Sequence, residues 1–304
     1  MFSRKPREAI LITWRTIVKE IRVKRALSDS ELPEYDYSLN PYLGCQHGCL
    51  YCYARDLTRG EVGERWGEIV YVKINLIEIL QREVKRVRRG IVGISTITDP
   101  YMPIEAKYRL TRRSIDILAS SGFKVSIQTK SPLILRDMDL IVKYRDRIDI
   151  GFTITTLDPE IKRVIEPRAP HPLAVVSALR RISSLGVSTW IFIGPIIPHI
   201  NDDIEQIEEI VKLARDTNSE VIIDLFRERT RALRSLEEAL GRDLVKKILR
   251  NINSEWWSDL SLKILEICDR HNVKCSRAED MWRELSHRKK QADLKLDLYL
   301  PKRN

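Results

Sequence analysis

The segment NPYLGCQHGCLYCYARDL, residues 40 to 57, holds three cysteines within eight consecutive positions, namely Cys45, Cys49 and Cys52. Thiolates at such close range repel one another unless a cation neutralises them, and metal binding removes the conflict by deprotonating the thiols. Gly44 and Gly48 disfavour a regular helix here and permit the positive φ angles that a loop needs to wrap around a ligand. The segment therefore predicts a metal site rather than a buried stripe of small residues.

Two kinds of metal site fit these residues. A structural zinc ion would take the three cysteines and His47 as a closed tetrahedral Cys₃His shell, although His47 lies between the first two cysteines, where inward pointing of all four side chains is awkward. An iron–sulfur cluster of the four-iron type normally takes four thiolates, so three would leave one iron open to a non-protein ligand. Core packing accounts for the two remaining cysteines, Cys268 and Cys275, which we do not assign to the site.

The remainder of the chain predicts a repeating order of strand, loop and helix. Short runs rich in β-branched residues predict strands at 37–44, 91–97, 124–130, 149–155, 188–196 and 220–226. Helical periodicity predicts helices at 77–89, 108–121, 133–145, 172–184 and 202–216. Such alternation indicates an α/β fold of parallel βαβ units, and a closed or partly closed sheet of this kind is a barrel.

The loops that follow these strands are polar and rich in proline, as in GCQHGCLYCYAR, TDPYMPIE, TLDPEIKRVIEPRAPHP and PIIPHINDD. In βα barrels the functional groups gather on loops at the C-terminal ends of strands, so these segments are expected to converge on one mouth. We predict an N-terminal extension over 1–34, a barrel over 35–230 and a mainly helical C-terminal extension over 231–304, packed on the barrel. Within that extension we expect helices at 242–251, 256–271 and 278–290, and an edge strand in LKLDLYL.

The composition describes a folded protein with an excess of positive charge. The 304 residues are 43 % hydrophobic, and the net charge is +10. This excess suits binding to phosphate backbones, and the high content of charged residues also fits a thermophilic protein with surface ion pairs. The basic clusters around 82–89 and 288–290 fit a solvated helix face at least as well as a nucleic-acid footprint. The N-terminal apolar run is too short for a secretion signal or membrane span, so we expect a cytoplasmic protein with no membrane partner.

The cysteine loop carries a resemblance to a known family. A CxxxCxxC loop after the first strand, with Tyr51 just before the third cysteine, resembles the radical S-adenosylmethionine (SAM) superfamily. The longer string NPYLGCQHGCLYCYAR and the segments TDPY, TLDPE…EPRAP and PIIPHIND resemble a narrower branch, the proteins related to spore photoproduct lyase. The resemblance covers roughly residues 35 to 230 and implies a partial (β/α)₆ TIM-type barrel, a [4Fe–4S] cluster and SAM.

The resemblance also implies roles for individual residues. Each of the three cysteines would ligate one iron, and SAM would chelate the fourth through its amino and carboxylate groups. An electron from the reduced cluster would cleave SAM to methionine and a 5′-deoxyadenosyl radical, which abstracts a hydrogen atom from substrate. The implied SAM contacts are Tyr51 at the adenine, Thr98 and Asp99 at the methionine amino end, Lys130 at the carboxylate, and Thr153 and Thr155 at the ribose. The chemistry requires an external one-electron reductant such as a ferredoxin or flavodoxin.

Two further expectations concern charged and reactive groups. A strand-end lysine that points into a barrel, as expected for Lys130, needs a counter-charge, whereas Glu166 and Arg168 belong either to the site or to a mutual surface pair. The photoproduct lyases carry a hydrogen-donating cysteine in the segment that matches ISTITDP, where this chain has Thr96. Because the threonine O–H bond is much too strong to donate a hydrogen atom readily, repair of photoproducts is not expected.

Three functions therefore fit the sequence. The leading one is a radical SAM enzyme, for which the charge makes nucleic acid the first substrate class to test. The second is a nucleic-acid-binding protein with a structural Cys₃His zinc site, and the third is an electron carrier. Loss of metal on substitution of His47 would favour zinc, whereas retention of iron would favour the enzyme.

Overall fold

A mostly parallel sheet lies at the centre of residues 16 to 287, the part of the chain described by the computed structural model. Its strands and those of a smaller sheet are β1 Ile17–Ile21, β2 Leu27–Asp29, β3 Tyr37–Leu39, β4 Tyr42–Leu43, β5 Ile69–Lys73, β6 Ile91–Ile94, β7 Lys124–Thr129, β8 Ile148–Thr153, β9 Ser188–Ile196, β10 Glu220–Leu225 and β11 Cys275–Arg277. The main sheet has the order β11-β10-β9-β8-β7-β6-β3-β2. Every neighbouring pair is parallel except β2 and β3.

The helices lie on the connections between the strands. They are α1 Ala54–Leu57, α2 Glu61–Glu64, α3 Leu76–Glu83, α4 Glu105–Tyr108, α5 Leu110–Ser120, α6 Met138–Lys143, α7 Pro159–Ile165, α8 Pro172–Ser183, α9 Ile204–Asp216, α10 Thr230–Leu240, α11 Arg242–Asn251 and α12 Ser254–Arg270. Residues 278–287 are also helical. Several helices pack an apolar face in the main core, as Ile115 and Leu118 of α5 and Ile207 and Val211 of α9 do, whereas α10 and α11 pack against the cysteine loop.

This architecture confirms the predicted α/β fold with parallel strands in a partial barrel. In the described part of the chain the sheet has edges at β2 and β11, so it does not close. The predicted strands from 91 onward and most predicted helices are present, with ends that shift by a few residues. The domain boundaries at 34 and 230 stay predictions. No helix among the described residues is both long and apolar enough to cross a membrane.

Three predicted elements were wrong in detail. The strand expected over 37–44 is two strands, because the chain turns at Asn40 and Pro41: β3 pairs with β6, whereas β4 pairs with β5 of the smaller sheet. The helix expected over 133–145 begins as a 3₁₀ turn over Pro132–Asp137 and becomes α6 only at Met138. The strand expected over 91–97 ends at Ile94, since Ser95 has a left-handed φ of 66°.

The C-terminal part adds a strand to the sheet as well as helices. β11 pairs in parallel with β10, with Ile223 opposite Arg277, and is thus a seventh parallel strand next to the six that were predicted. The helix expected over 278–290 is described as far as 287. The basic residues 288–290 and the edge strand expected in LKLDLYL lie outside the described residues, as does the N-terminal apolar run.

The turn into the cysteine loop depends on a glycine. Gly44 leaves β4 with a φ of +86°, and a Cβ atom there would lie 2.5 Å from the carbonyl oxygen of Ile69 and 2.7 Å from Cγ1 of Val62. Any larger residue would therefore meet both backbone strain and a steric clash. The close approach brings the loop against the beginning of β5.

We expect Gly44→Ala to destabilise the protein more than Gly60→Ala does. Gly60 also has a positive φ, +69°, but no atom lies within 4 Å of its added Cβ, so this control carries the backbone strain without the clash. The backbone strain costs about 1–3 kcal/mol in each variant, and the clash adds about 1–3 kcal/mol in Gly44→Ala. Urea unfolding would measure the difference, and equal losses of stability would contradict this account of the loop.

Candidate active site

The cysteine loop lies at the carboxyl edge of the sheet and is tied to its neighbours by hydrogen bonds. The Thr98 hydroxyl donates to the Gly44 carbonyl oxygen at 2.5 Å, and the backbone N–H of Leu50 donates to the Ile165 carbonyl oxygen at 2.9 Å. Gly48 has a φ of +62°, and a Cβ added at Gly67 would lie 2.9 Å from the Cα of Gly48. Both glycines of the loop thus have the positive φ angles that the sequence indicated.

The three cysteines line one cavity of about 790 Å³. Cys45 and Cys49 are buried, each in a different apolar cluster. Cys52 is partly buried and packs against both of these clusters. Burial raises the pKa of Cys52 to about 11 and that of Cys49 well above its ordinary value, so both thiols stay protonated until a cation arrives. Within residues 16–287, no three His, Cys, Asp or Glu side chains are already grouped around the position of a single ion.

The donor set of the cavity suits a soft metal centre. Three thiols share one enclosed wall, and Cys thiolates are the ligands that iron–sulfur clusters require. Lys130 lines the same cavity, and its positive charge lowers the pKa of Cys52. These cysteines would hold the cluster, and the remaining wall of the cavity offers polar groups to a further ligand.

A buried carboxylate lies directly behind the cavity wall. Glu166 accepts hydrogen bonds from the Tyr51 hydroxyl, from the Thr155 hydroxyl at 2.7 Å and from the Lys162 ammonium. The Lys130 Nζ lies 3.6 Å from the Glu166 Oε1. Burial alone would raise the pKa of Glu166, but the two lysines lower it to about 2. The carboxylate therefore stays ionised and links three loops of the site.

This network supplies the counter-charge that Lys130 was expected to need. Burial lowers the pKa of Lys130, but Glu166, Asp99 and the two cysteines Cys49 and Cys52 together raise it by more, so the net pKa lies above its ordinary value. A mutual surface pair of Glu166 and Arg168 is wrong, because Glu166 is 1 % exposed and Arg168 instead donates to the Gly67 carbonyl oxygen. The i, i+4 spacing of Lys162 and Glu166 on α7 was a signal that sequence reasoning missed, since such pairs usually lie on a surface.

Asp99 lines the cavity beside His47. Its carboxylate accepts from the Thr129 hydroxyl and from the backbone N–H groups of Tyr101 and Lys130, each at 2.8 Å. The His47 Nδ1 lies 3.5 Å from Oδ2, too far for a good hydrogen bond, so this is a contact between charges. Burial raises the pKa of Asp99, but His47 and the backbone donors bring it below its ordinary value. Asp99 thus joins the cysteine loop to the end of β7.

The structure separates the remaining predicted contacts into two groups. Tyr51 and Thr153 line the cavity, and the Thr153 hydroxyl accepts from Gln128 Nε2 at 3.0 Å. Thr155 does not line it, because its hydroxyl bonds to Glu166 and lies 3.1 Å from the Tyr51 hydroxyl. Thr98 lines the cavity, although its hydroxyl is used by Gly44.

Two residues that follow β6, Ser95 and Thr96, also line the cavity. Thr96 lines the cavity, and its side-chain oxygen lies 3.4 Å from Asn40 Nδ2. Ser95, which sequence reasoning missed, is buried in the same wall, has a left-handed φ and has no hydrogen-bond partner for its hydroxyl among the described residues. Such a backbone conformation costs about 1–2 kcal/mol in a residue other than glycine and favours functional positions. No signal in the sequence indicated this residue, because the predicted strand over 91–97 included it and the observed strand ends at Ile94.

The other cysteines lie elsewhere. Cys268 is fully buried in the main core, and Cys275 packs against the same core. Neither residue lines the cavity.

A comparison with protein-family models decides the family. The model of the Radical SAM superfamily matches residues 39–228, which include the cysteine loop and the strands from β6 to β10. This protein belongs to the Radical SAM superfamily. The superfamily implies a [4Fe–4S] cluster, SAM and an external reductant, in agreement with the cysteine-lined cavity.

Individual proteins and a solved structure are also similar to this radical SAM protein. An uncharacterized protein from Methanocaldococcus jannaschii is 36% identical over 183 residues, which are 60% of this chain and 69% of the relative. An uncharacterized protein of Acidianus two-tailed virus is 28% identical over 270 residues, 80% of this chain and 87% of the relative. A solved structure of spore photoproduct lyase complexed with dinucleoside spore photoproduct has a TM-score of 0.68, covering 86% of this chain and 81% of that chain at 14% identity. The last likeness confirms the fold.

We expect Glu166→Gln to lower the free energy of unfolding by about 3–5 kcal/mol near neutral pH, because it leaves two buried lysines without a charged partner. The ordinary glutamate pKa of 4.5 is lowered to about 2 in the folded protein. The stabilisation by the carboxylate is therefore complete above the unfolded pKa and is lost as the pH falls through the folded pKa.

Urea unfolding of cluster-free wild type and variant at several pH values would measure this difference without interference from acid-labile iron. The difference in the free energy of unfolding between wild type and Glu166→Gln should decrease as the pH falls from 4.5 towards 2. If this difference stays constant or increases in acid, the Glu166 carboxylate is not ionised in the folded protein.

Proposed function

We propose that this radical SAM protein holds a [4Fe–4S] cluster with Cys45, Cys49 and Cys52 and acts on a substrate in the cavity beside it. Reductive cleavage of SAM at that cluster supplies the 5′-deoxyadenosyl radical, which abstracts a hydrogen atom from the substrate. The observation that carries the proposal is the common cavity, since the three thiols share its wall with Lys130 and Tyr51. Its volume of about 790 Å³ suits a cofactor together with part of a substrate.

The chain's own residues would divide the work of holding SAM. Lys130 offers a positive charge to the SAM carboxylate, and Glu166 keeps that charge in place from behind. The Tyr51 hydroxyl donates a hydrogen bond to Glu166, so the tyrosine ring can face the adenine. Thr153 offers a hydroxyl to the ribose. Thr98 and Asp99 support the methionine end, because they connect the cysteine loop to the loop after β6 and to Lys130.

Nucleic acid is the substrate class that we propose to test first. The net charge of +10 favours a polyanionic partner, and the exposed Arg227 and Arg229 lie at the rim of the same cavity. The proposal does not include repair of photoproducts, because Thr96 offers a hydroxyl in place of a thiol as hydrogen donor.

Reconstitution without oxygen tests the proposed chemistry. We expect a brown protein with about four iron atoms per chain that forms 5′-deoxyadenosine from SAM after reduction with dithionite. Cys52→Ala should lose most of the iron and this activity, whereas Cys268→Ala, a cysteine of the main core, should keep both. A colourless wild-type preparation that contains zinc and forms no deoxyadenosine would exclude the proposal.

His47 separates the enzyme from a Cys₃His zinc protein. His47 lies against Asp99, so we expect His47→Asn to retain its iron after reconstitution. Metal analysis and visible absorbance would measure this. Loss of the metal in His47→Asn, to the extent seen in Cys52→Ala, would instead make His47 a ligand.

We expect Lys130→Met to weaken SAM binding by about tenfold or more, because the carboxylate of SAM loses its point charge. Lys162→Met is the matched control, since Lys162 pairs with the same carboxylate but does not line the cavity. Equilibrium dialysis of labelled SAM against the reconstituted proteins would measure both. An equal loss of SAM affinity in the two variants would mean that Lys130 acts only through its ion pair with Glu166.

A further inference from the structure

The C-terminal part of the chain forms one wall of the cavity. Ala278, Met281 and Trp282, all in the helix over 278–287, line it together with Asp224 and Arg227, which lie at and just after the end of β10. These residues meet because β10 and β11 are parallel neighbours, so the chain leaves both strands at the same edge of the sheet. Parallel pairing thus brings two distant segments of sequence to one place.

Hydrogen bonds hold this helix in position. The Arg277 Nε donates to the Asp280 Oδ2 at 2.5 Å, within the first turn after β11. The Trp257 Nε1 of α12 donates to the Glu279 Oε1 at 2.8 Å. The helix is therefore attached both to the strand before it and to the neighbouring helix.

Two polar atoms on this wall have no hydrogen-bond partner among the described residues. They are the Asp224 Oδ1, an acceptor, and the Trp282 Nε1, a donor. Asp224 is only 8 % exposed, and a buried polar atom without a hydrogen-bond partner destabilises the folded protein. An acceptor and a donor left open in a cavity wall indicate a ligand that completes both.

Arg227 fixes the positions of both side chains. Its NH1 donates to the Asp224 Oδ2 at 2.6 Å, and its guanidinium carbon lies 5.5 Å from the centre of the Trp282 ring. It therefore uses one oxygen of the carboxylate and leaves the other free. The two open atoms therefore belong to side chains that contact the same guanidinium group in one cavity wall.

We propose that Asp224 and Trp282 form a substrate subsite for the edge of a nucleobase, in which Asp224 accepts from a base N–H and Trp282 donates to a neighbouring base oxygen or nitrogen. This subsite deepens the proposed function and rests on it. A nucleobase fits better than a peptide amide, because the exposed Arg227 and Arg229 at the rim of the same wall can contact phosphate. Arg227 is a positioning residue that also faces the rim.

Two conservative variants test the subsite in the reconstituted holoenzyme with SAM bound. Asp224→Asn keeps the shape of the side chain but loses the ionised acceptor, and Trp282→Phe removes the N–H. The controls are Asp243→Asn on the exposed side of α11 and Trp256→Phe on α12, neither of which lines the cavity. The probe is a fluorescent single-stranded oligonucleotide of mixed sequence, measured by anisotropy in about 0.3 M salt, which weakens contacts that depend on phosphate alone.

We expect Asp224→Asn and Trp282→Phe each to raise the dissociation constant of the oligonucleotide about tenfold, the effect of one lost hydrogen bond to a buried partner. The control variants should bind as the wild type does. Equal binding by all five proteins, or tighter binding of an uncharged peptide of mixed sequence than of the oligonucleotide, would overturn the proposal.

A separate readout distinguishes failure of the subsite from failure of the proposed function. Formation of 5′-deoxyadenosine from SAM without substrate depends on the cysteine loop and on Lys130, which Asp224→Asn and Trp282→Phe leave intact. The wild type should therefore form deoxyadenosine whether or not Asp224 and Trp282 bind a nucleobase. If the wild type forms no deoxyadenosine, the proposed function fails, whereas normal formation with unchanged oligonucleotide binding in the variants rejects the subsite alone.

Discussion

The buried charge of Glu166 is the constraint around which the site is arranged. A carboxylate taken out of water must be paired and hydrogen-bonded, and here its partners come from the cysteine loop, from the ends of β7 and β8 and from α7. A pair buried in this way adds little net stability compared with apolar packing, but it tolerates few other arrangements. Its value lies in position, because the carboxylate fixes the Tyr51 hydroxyl, which leaves the tyrosine ring to face a cofactor, and holds the Lys130 ammonium at the cavity wall.

Much of the fold could be predicted from the sequence because the relevant signals are local. The spacing of Cys45, Cys49 and Cys52, the two glycines that permit the wrap and the alternation of strands and helices are all visible within short windows. The same reasoning failed at residues 37–44, because the pattern does not reveal that β4 pairs with a different sheet from β3. It also placed a left-handed residue, Ser95, inside a strand, since nothing in its type indicates a positive φ.

The parts of the site that could not be predicted depend on contacts between distant segments. Lys162 and Glu166 have the spacing of an ordinary surface pair, and only the packing of α7 against the cysteine loop buries them. Asp224 and Trp282 are separated by most of the C-terminal helices, so their meeting requires the pairing of β10 with β11. Where a single residue needed a counter-charge, as Lys130 did, sequence reasoning could state the need but could not name the partner.

The seventh parallel strand has a consequence for the order in which the site is assembled during synthesis. All three cysteines and the loops around Glu166 leave the ribosome well before β11, which can dock on β10 only after α10, α11 and α12 have also emerged. The half of the cavity that the cysteines line can therefore form while the opposite wall is still missing. Such an order would leave this side of the cavity open for insertion of a cluster until the helix over 278–287 docks.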